Sequence, residues 1–123
     1  MKNLLIATVI SLIFLTQSGC KKAIDDAINC TTESFFLYIK GDVDASNLKL
    51  FHFTFVNSDS SGDYTLDNTI KWDFGDGVTE TSQGLTIDHT YATTGSYTAK
   101  ASYTLRKGSS SCSSYKEKAI NVN

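Results

Sequence analysis

The sequence has 123 residues, 41% hydrophobic, 11% aromatic and 20% charged, which is enough apolar matter for one packed core and too little charge for a disordered chain. Setting aside a leader of 19 residues leaves about one domain's worth of chain and excludes a multidomain machine. The formal charge is −2, and losing Lys2 with the leader leaves 10 Lys and Arg against 13 Asp and Glu; that balance carries no electrostatic footprint for nucleic acid.

In chain order, Lys2 is followed by twelve largely apolar residues, Leu4 to Leu15, and then by Thr16-Gln17-Ser18-Gly19-Cys20. A membrane-spanning helix needs about 20 apolar residues, so the run suits the apolar core of an export signal over residues 1–19. Ser18-Gly19-Cys20 resembles a bacterial lipoprotein processing site, although Gln17 stands where an aliphatic residue is usual. That resemblance implies a lipidated Cys20 as the first mature residue, held at a membrane by several acyl chains without spanning it. Ordinary secretion with Cys20 as a spare thiol is the alternative.

Cysteine arithmetic favours the lipid. Three cysteines leave one over, and lipidation of Cys20 leaves Cys30 and Cys112 as a pair. Exported compartments are oxidising, so a disulfide between these two is expected. It closes a loop of about 82 residues and contributes roughly 4 kcal/mol at most. Residues 20–32 read as anchor and tether, and residues 33–123 as the folded domain.

Ser and Thr number 15 each and Pro is absent, while aromatic and β-branched residues recur in short runs; together these favour strands over helices. The expected strands are Ser34 to Ile39, Leu48 to Val56, Thr69 to Phe74, Val78 to Thr81, Leu85 to Tyr91, Tyr97 to Leu105 and Tyr115 to Val122. Alternation at period two puts Phe51, Phe53 and Phe55 on one face, and Ile70, Trp72 and Phe74 on another, with Trp72 at the centre of the core. His89 shares the inward parity of Leu85, Ile87 and Tyr91; His52 is expected to be exposed. Residues 57–63 and Arg106 to Ser114 read as polar loops. The class is therefore all-β, a seven-stranded sandwich.

Trp72-Asp73-Phe74-Gly75-Asp76-Gly77 resembles the hallmark string of the PKD (polycystic kidney disease) domain family. Asp88-His89-Thr90-Tyr91 and Gly95-Ser96-Tyr97-Thr98-Ala99 resemble two further family signatures, in the right order, and the likeness extends over the whole mature domain. It implies an immunoglobulin-like β-sandwich of extracellular and cell-surface proteins that serves as a spacer or interaction module. The residues also have physical reasons of their own. Trp72 can fill the gap between two sheets, Gly75 and Gly77 admit positive φ at the strand exit, Asp76 can bond its own turn, and Tyr97 has the spacing of a tyrosine corner.

Asp73, Asp76, Asp88 and His89 are the acid and base types that catalysis uses. Yet the aspartates stand where turns favour them, and no Ser or Cys occupies a recognisable nucleophile elbow. Calcium ligands could come from Asp59, Asp63 and Asp67, or from Asp42 and Asp44, though they lack EF-hand spacing. No cofactor is expected. Tyr38, Tyr64, Tyr103 and Tyr115 are the tyrosines that could stack on sugar rings. The sequence thus points to a non-catalytic, exported, lipid-anchored module of the bacterial cell envelope that contacts protein at the surface. A small carbohydrate-binding lipoprotein is the alternative, and an enzyme a distant third.

Overall fold

The computed structural model describes residues 31–59 and 62–123; the leader, Cys20, Cys30 and most of the tether lie outside the described residues. Among the described residues there are eight strands: β1 (Leu37–Val43), β2 (Leu50–Asn57), β3 (Thr65–Leu66), β4 (Thr69–Asp73), β5 (Thr79–Gln83), β6 (Thr86–Thr90), β7 (Gly95–Lys107) and β8 (Ser110–Val122). They make two antiparallel sheets. The smaller has the order β1-β2-β6. In the larger, β8 pairs along the whole of one edge of β7, from Gly95↔Val122 to Lys107↔Ser110. β4 and β3 share the opposite edge of β7 in succession, and β5 lies beyond β4. This is the all-β, immunoglobulin-like sandwich expected from the sequence.

Period-two alternation builds the core from both sheets. The smaller sheet sends in Leu37, Ile39, Phe51, Phe53 and Phe55; the larger sends in Ile70, Trp72, Ala99, Ala101, Tyr103, Leu105, Ile120 and Val122. Ala101 stands directly opposite Trp72 across the β4–β7 pair, so a small side chain beside the indole leaves it room. Phe53 touches both Trp72 and Phe74, with ring centroids 5.7 and 5.5 Å apart, and so joins the layers.

Several boundaries differ from the sequence expectation. The stretch from Ser34 does not begin as a strand: residues 31–34 are helical, and the N–H groups of Phe35 and Phe36 donate to the carbonyls of Thr32 and Glu33. Phe35, on that turn, and Phe36, just before β1, are both at the surface. β1 then runs on through Gly41, where a side chain would press within 3.2 Å of Phe53 and Ile120. The Gly/Ser stretch 106–114 is not a loop but mostly strand, because β7 offers its full edge as a template and pairs Thr104 with Ser113 through their hydroxyls at 2.8 Å. β3, only two residues long, has no pattern of its own and exists through its bonds to β7. Strand β5 is displaced toward Gln83, which buries Ser82.

Cross-strand partners share a face. Glu80, opposite Trp72, and Lys116 and Lys118, opposite Ala101 and Ala99, therefore have core parity on the two lateral strands of the larger sheet. Glu80 is exposed and the lysines are half-buried, as edge side chains that curl round to water are.

Candidate functional site

The six residues Trp72 to Gly77 carry β4 out of the larger sheet and turn the chain toward β5. Asp73 accepts the Gly75 N–H at 3.0 Å and Asp76 accepts the Val78 N–H at 3.1 Å, local bonds that fix the turn. Gly75 has φ 82°, and a side chain there would meet the Thr98 carbonyl oxygen of β7 at 2.6 Å.

Among the described residues no buried side-chain nitrogen or oxygen lacks a hydrogen-bond partner, and those of the motif find theirs inside the fold. The Trp72 indole N–H donates to Ser82 Oγ at 3.1 Å, and Ser82 Oγ–H donates to the Gly84 carbonyl at 2.7 Å. His89, 7% exposed, donates from Nε2 to Asp76 at 2.7 Å. Its ring lies flat on Phe74 with centroids 3.8 Å apart. Burial pushes the Asp76 carboxyl up, but the His89 and Val78 hydrogen bonds outweigh it and hold the group below its ordinary value. The Tyr91 hydroxyl donates to the Phe74 carbonyl at 3.0 Å, and burial raises that phenol well above the usual tyrosine range. The Tyr97 hydroxyl reaches back to the Thr93 carbonyl at 3.0 Å, and the two tyrosine rings stack at 4.5 Å. Asp76 of the β4–β5 turn, His89 of β6, Tyr91 just after it and Tyr97 of β7 thus form one aromatic and polar seam between the sheets.

A second cluster lies on the outer face of the smaller sheet. His52 is half-buried and not simply exposed, because register places Asp42 of β1 and Asp88 of β6 on either side of it. Its Nδ1 is 2.7 Å from Asp88 and its Nε2 is 3.3 Å from Asp44. Both nitrogens can donate at once only in the imidazolium form. Asp88 and then Asp44 raise the His52 pKa above its ordinary value. Asp44, bonded by the hydroxyl and N–H of Ser46, by His52 and by the Asn47 N–H, is lowered to about 2.

A raised folded-state pKa contributes stability that is fully present below the unfolded value of 6.5 and is lost as pH rises through the folded value. The melting temperature is therefore expected to decline as pH rises above 6.5, and His52→Gln is expected to flatten that decline. Parallel thermal melts of both proteins over this range check it; an identical slope in the variant would place the titration elsewhere.

The aspartates named for calcium are distributed among other partners. Arg106 clasps Asp67 with two bonds of 2.7 and 2.8 Å, and Lys107 holds Asp63 at 2.9 Å. Lys40 pairs with Asp42 at 3.0 Å. Among the described residues no group of three or more His, Cys, Asp or Glu side chains is arranged to hold a metal ion; in the cluster of Asp44, His52 and Asp88 both ring nitrogens are spent on the carboxylates. Of the tyrosines named as sugar platforms, Tyr103 is buried in the core. Tyr64 is half-buried with Lys107 Nζ 5.6 Å from its ring. Tyr38 and Tyr115 are exposed, but β1 and β8 carry them on different sheets, so they do not form one platform. The sequence alone did not single out Ser82 as the partner of the indole, nor Asp44 and Asp88 as partners of His52; only strand register brings these together.

Residues 38–120 match a family model described as the PKD domain. No curated protein matches the chain.

Proposed function

Because this chain belongs to the PKD domain family, whose members are in general non-catalytic immunoglobulin-like modules of extracellular and surface proteins, we propose that it works in the bacterial cell envelope as a lipid-anchored spacer or interaction module that makes protein contacts. The observation that carries this reading is the internal satisfaction of the motif. Trp72, Asp76, His89, Tyr91 and Tyr97 spend their polar groups on Ser82, on one another and on nearby backbone. The residue types that tempt a catalytic reading thereby act as struts between sheets, and the outer faces and loops are left to meet a partner.

The anchor is Cys20, and Cys112 pairs with Cys30. Supporting the pairing, Cys112 stands half-buried on β8 opposite Leu105 and packs against the core. The intact mass of the membrane-extracted protein tests both points: the expected species begins at Cys20, carries acyl chains and is two hydrogens lighter for the bridge. An unmodified Cys20 overturns the anchor, and two free thiols overturn the disulfide. The contact role is tested with a photo-crosslinking residue at exposed Thr81, on the outer side of β5. Reproducible adducts to one envelope protein are expected, whereas adducts to polysaccharide alone would transfer the reading to glycan binding.

A further inference from the structure

We propose that Phe35, Phe36 and Tyr38 form a docking face for the bilayer–water interface, so that the domain lies against its membrane instead of standing away from it; this rests on the lipid anchor proposed at Cys20. The three rings are 79%, 37% and 49% exposed. They are presented on a bonded scaffold. The Phe36 carbonyl accepts both the N–H and the hydroxyl of Ser58 at 2.9 Å, which extends the β1–β2 register one pair beyond Leu37↔Asn57. Phe36 and Tyr38 therefore share the outer face of the smaller sheet at period two, with Val56 opposite Tyr38. Phe35 flanks them on the turn, its N–H held by the Thr32 carbonyl at 3.1 Å.

Three exposed rings within four residues of chain offer an apolar contact surface, and aromatic side chains settle at the headgroup level of membranes, tyrosine keeping its hydroxyl in water. The occupant follows from the length of chain. Only fifteen residues lead from Cys20 to Phe35, a reach of at most about 50 Å when fully extended. The face cannot leave the neighbourhood of the bilayer that holds Cys20. Contact becomes intramolecular, at an effective concentration on the order of millimolar, so an interfacial affinity too weak for a free protein becomes populated. Lys21 and Lys22, next to Cys20 in sequence, lie nearest the anionic headgroups, with Asp25 and Asp26 further along the tether.

The test uses the full acylated protein carrying Phe35→Trp, reconstituted into phosphatidylethanolamine and phosphatidylglycerol vesicles with or without brominated acyl chains. Trp72 is wholly buried and is present in both proteins, so the unsubstituted protein supplies its background. Emission added by Phe35→Trp is expected to be blue-shifted and largely quenched by bromine, and the further changes Phe36→Ser and Tyr38→Ser are expected to restore it. Added emission that is water-like and quenched only by aqueous iodide, from protein whose mass confirms acylation, overturns docking and leaves the anchor standing. A mass without acyl chains overturns both. Blue-shifted emission insensitive to bromine, together with a dimer on crosslinking, overturns the proposal in favour of a second copy of the chain.

Discussion

Trp72→Ala is expected to cost about 3–5 kcal/mol of folding stability, a large share of the 5–15 kcal/mol typical of a single domain. The indole is 0% exposed and faces Ala101 across β4–β7. An alanine side chain is too small to refill the space between sheets. Phe53 and Phe74, whose centroids are 5.7 and 6.4 Å from the indole, would lose a shared wall. The change also deprives Ser82 Oγ of the N–H it accepts at 3.1 Å, leaving a buried hydroxyl oxygen short of a donor. Denaturant titration should show the midpoint moving sharply with little change in slope. Trp72→Phe, which keeps a ring in the space, should lose less. A loss below about 1 kcal/mol for Trp72→Ala would place the indole outside the packed centre.

Gly75→Ala should be the other severe change, and Gly77→Ala is its control. Both glycines have positive φ, 82° and 91°, so each alanine would bear a left-handed backbone cost of about 1–2 kcal/mol. Only at Gly75 is there also a collision: the added carbon would lie 2.6 Å from the Thr98 oxygen and 2.9 Å from its nitrogen, whereas nothing lies within 4 Å at Gly77. Both atoms belong to the β7 backbone, which β4 and β8 grip from either side, so there is no flexible side chain to swing away. Overpacking of this kind adds about 1–3 kcal/mol. Chemical denaturation of the two variants should separate them by that amount. Equal losses would mean that β7 yields freely, contrary to its position between two strands.

Much of this architecture was legible wherever one face of a strand is buried. Phe51, Phe53 and Phe55 could only share a side, and Ile70, Trp72 and Phe74 likewise, because side chains alternate along extended backbone. Gly75 was readable as a positive-φ residue, but the nearness of Thr98 was not, since it depends on how β7 crosses the turn. The serine-rich arm of β8 was hidden for a different reason. Ser111, Ser113 and Ser114 have no strand signature, and they extend because the edge of β7 bonds to them. The His52 cluster was illegible because its carboxylates come from Asp44, before β2, and from Asp88 on β6. The expected strand from Ser34 did not show which of its rings would be outside: the helical turn at residues 31–34 keeps Phe35 out of the strand, and Phe36 has the outward parity of Tyr38.

The charged side chains of core parity on β5 and β8 bear on life at high surface density. Molecules confined to a plane collide far more often than the same number free in solution, and an open strand margin invites lateral accretion into ribbons. A newcomer aligning along β5 would have to enclose the Glu80 carboxylate within the merged interior, and one aligning along β8 would enclose Lys116 and Lys118, burials that ionised groups strongly resist. Lateral growth through β5 or β8 is thereby opposed. That protection of two edges is in keeping with the membrane-held role proposed above.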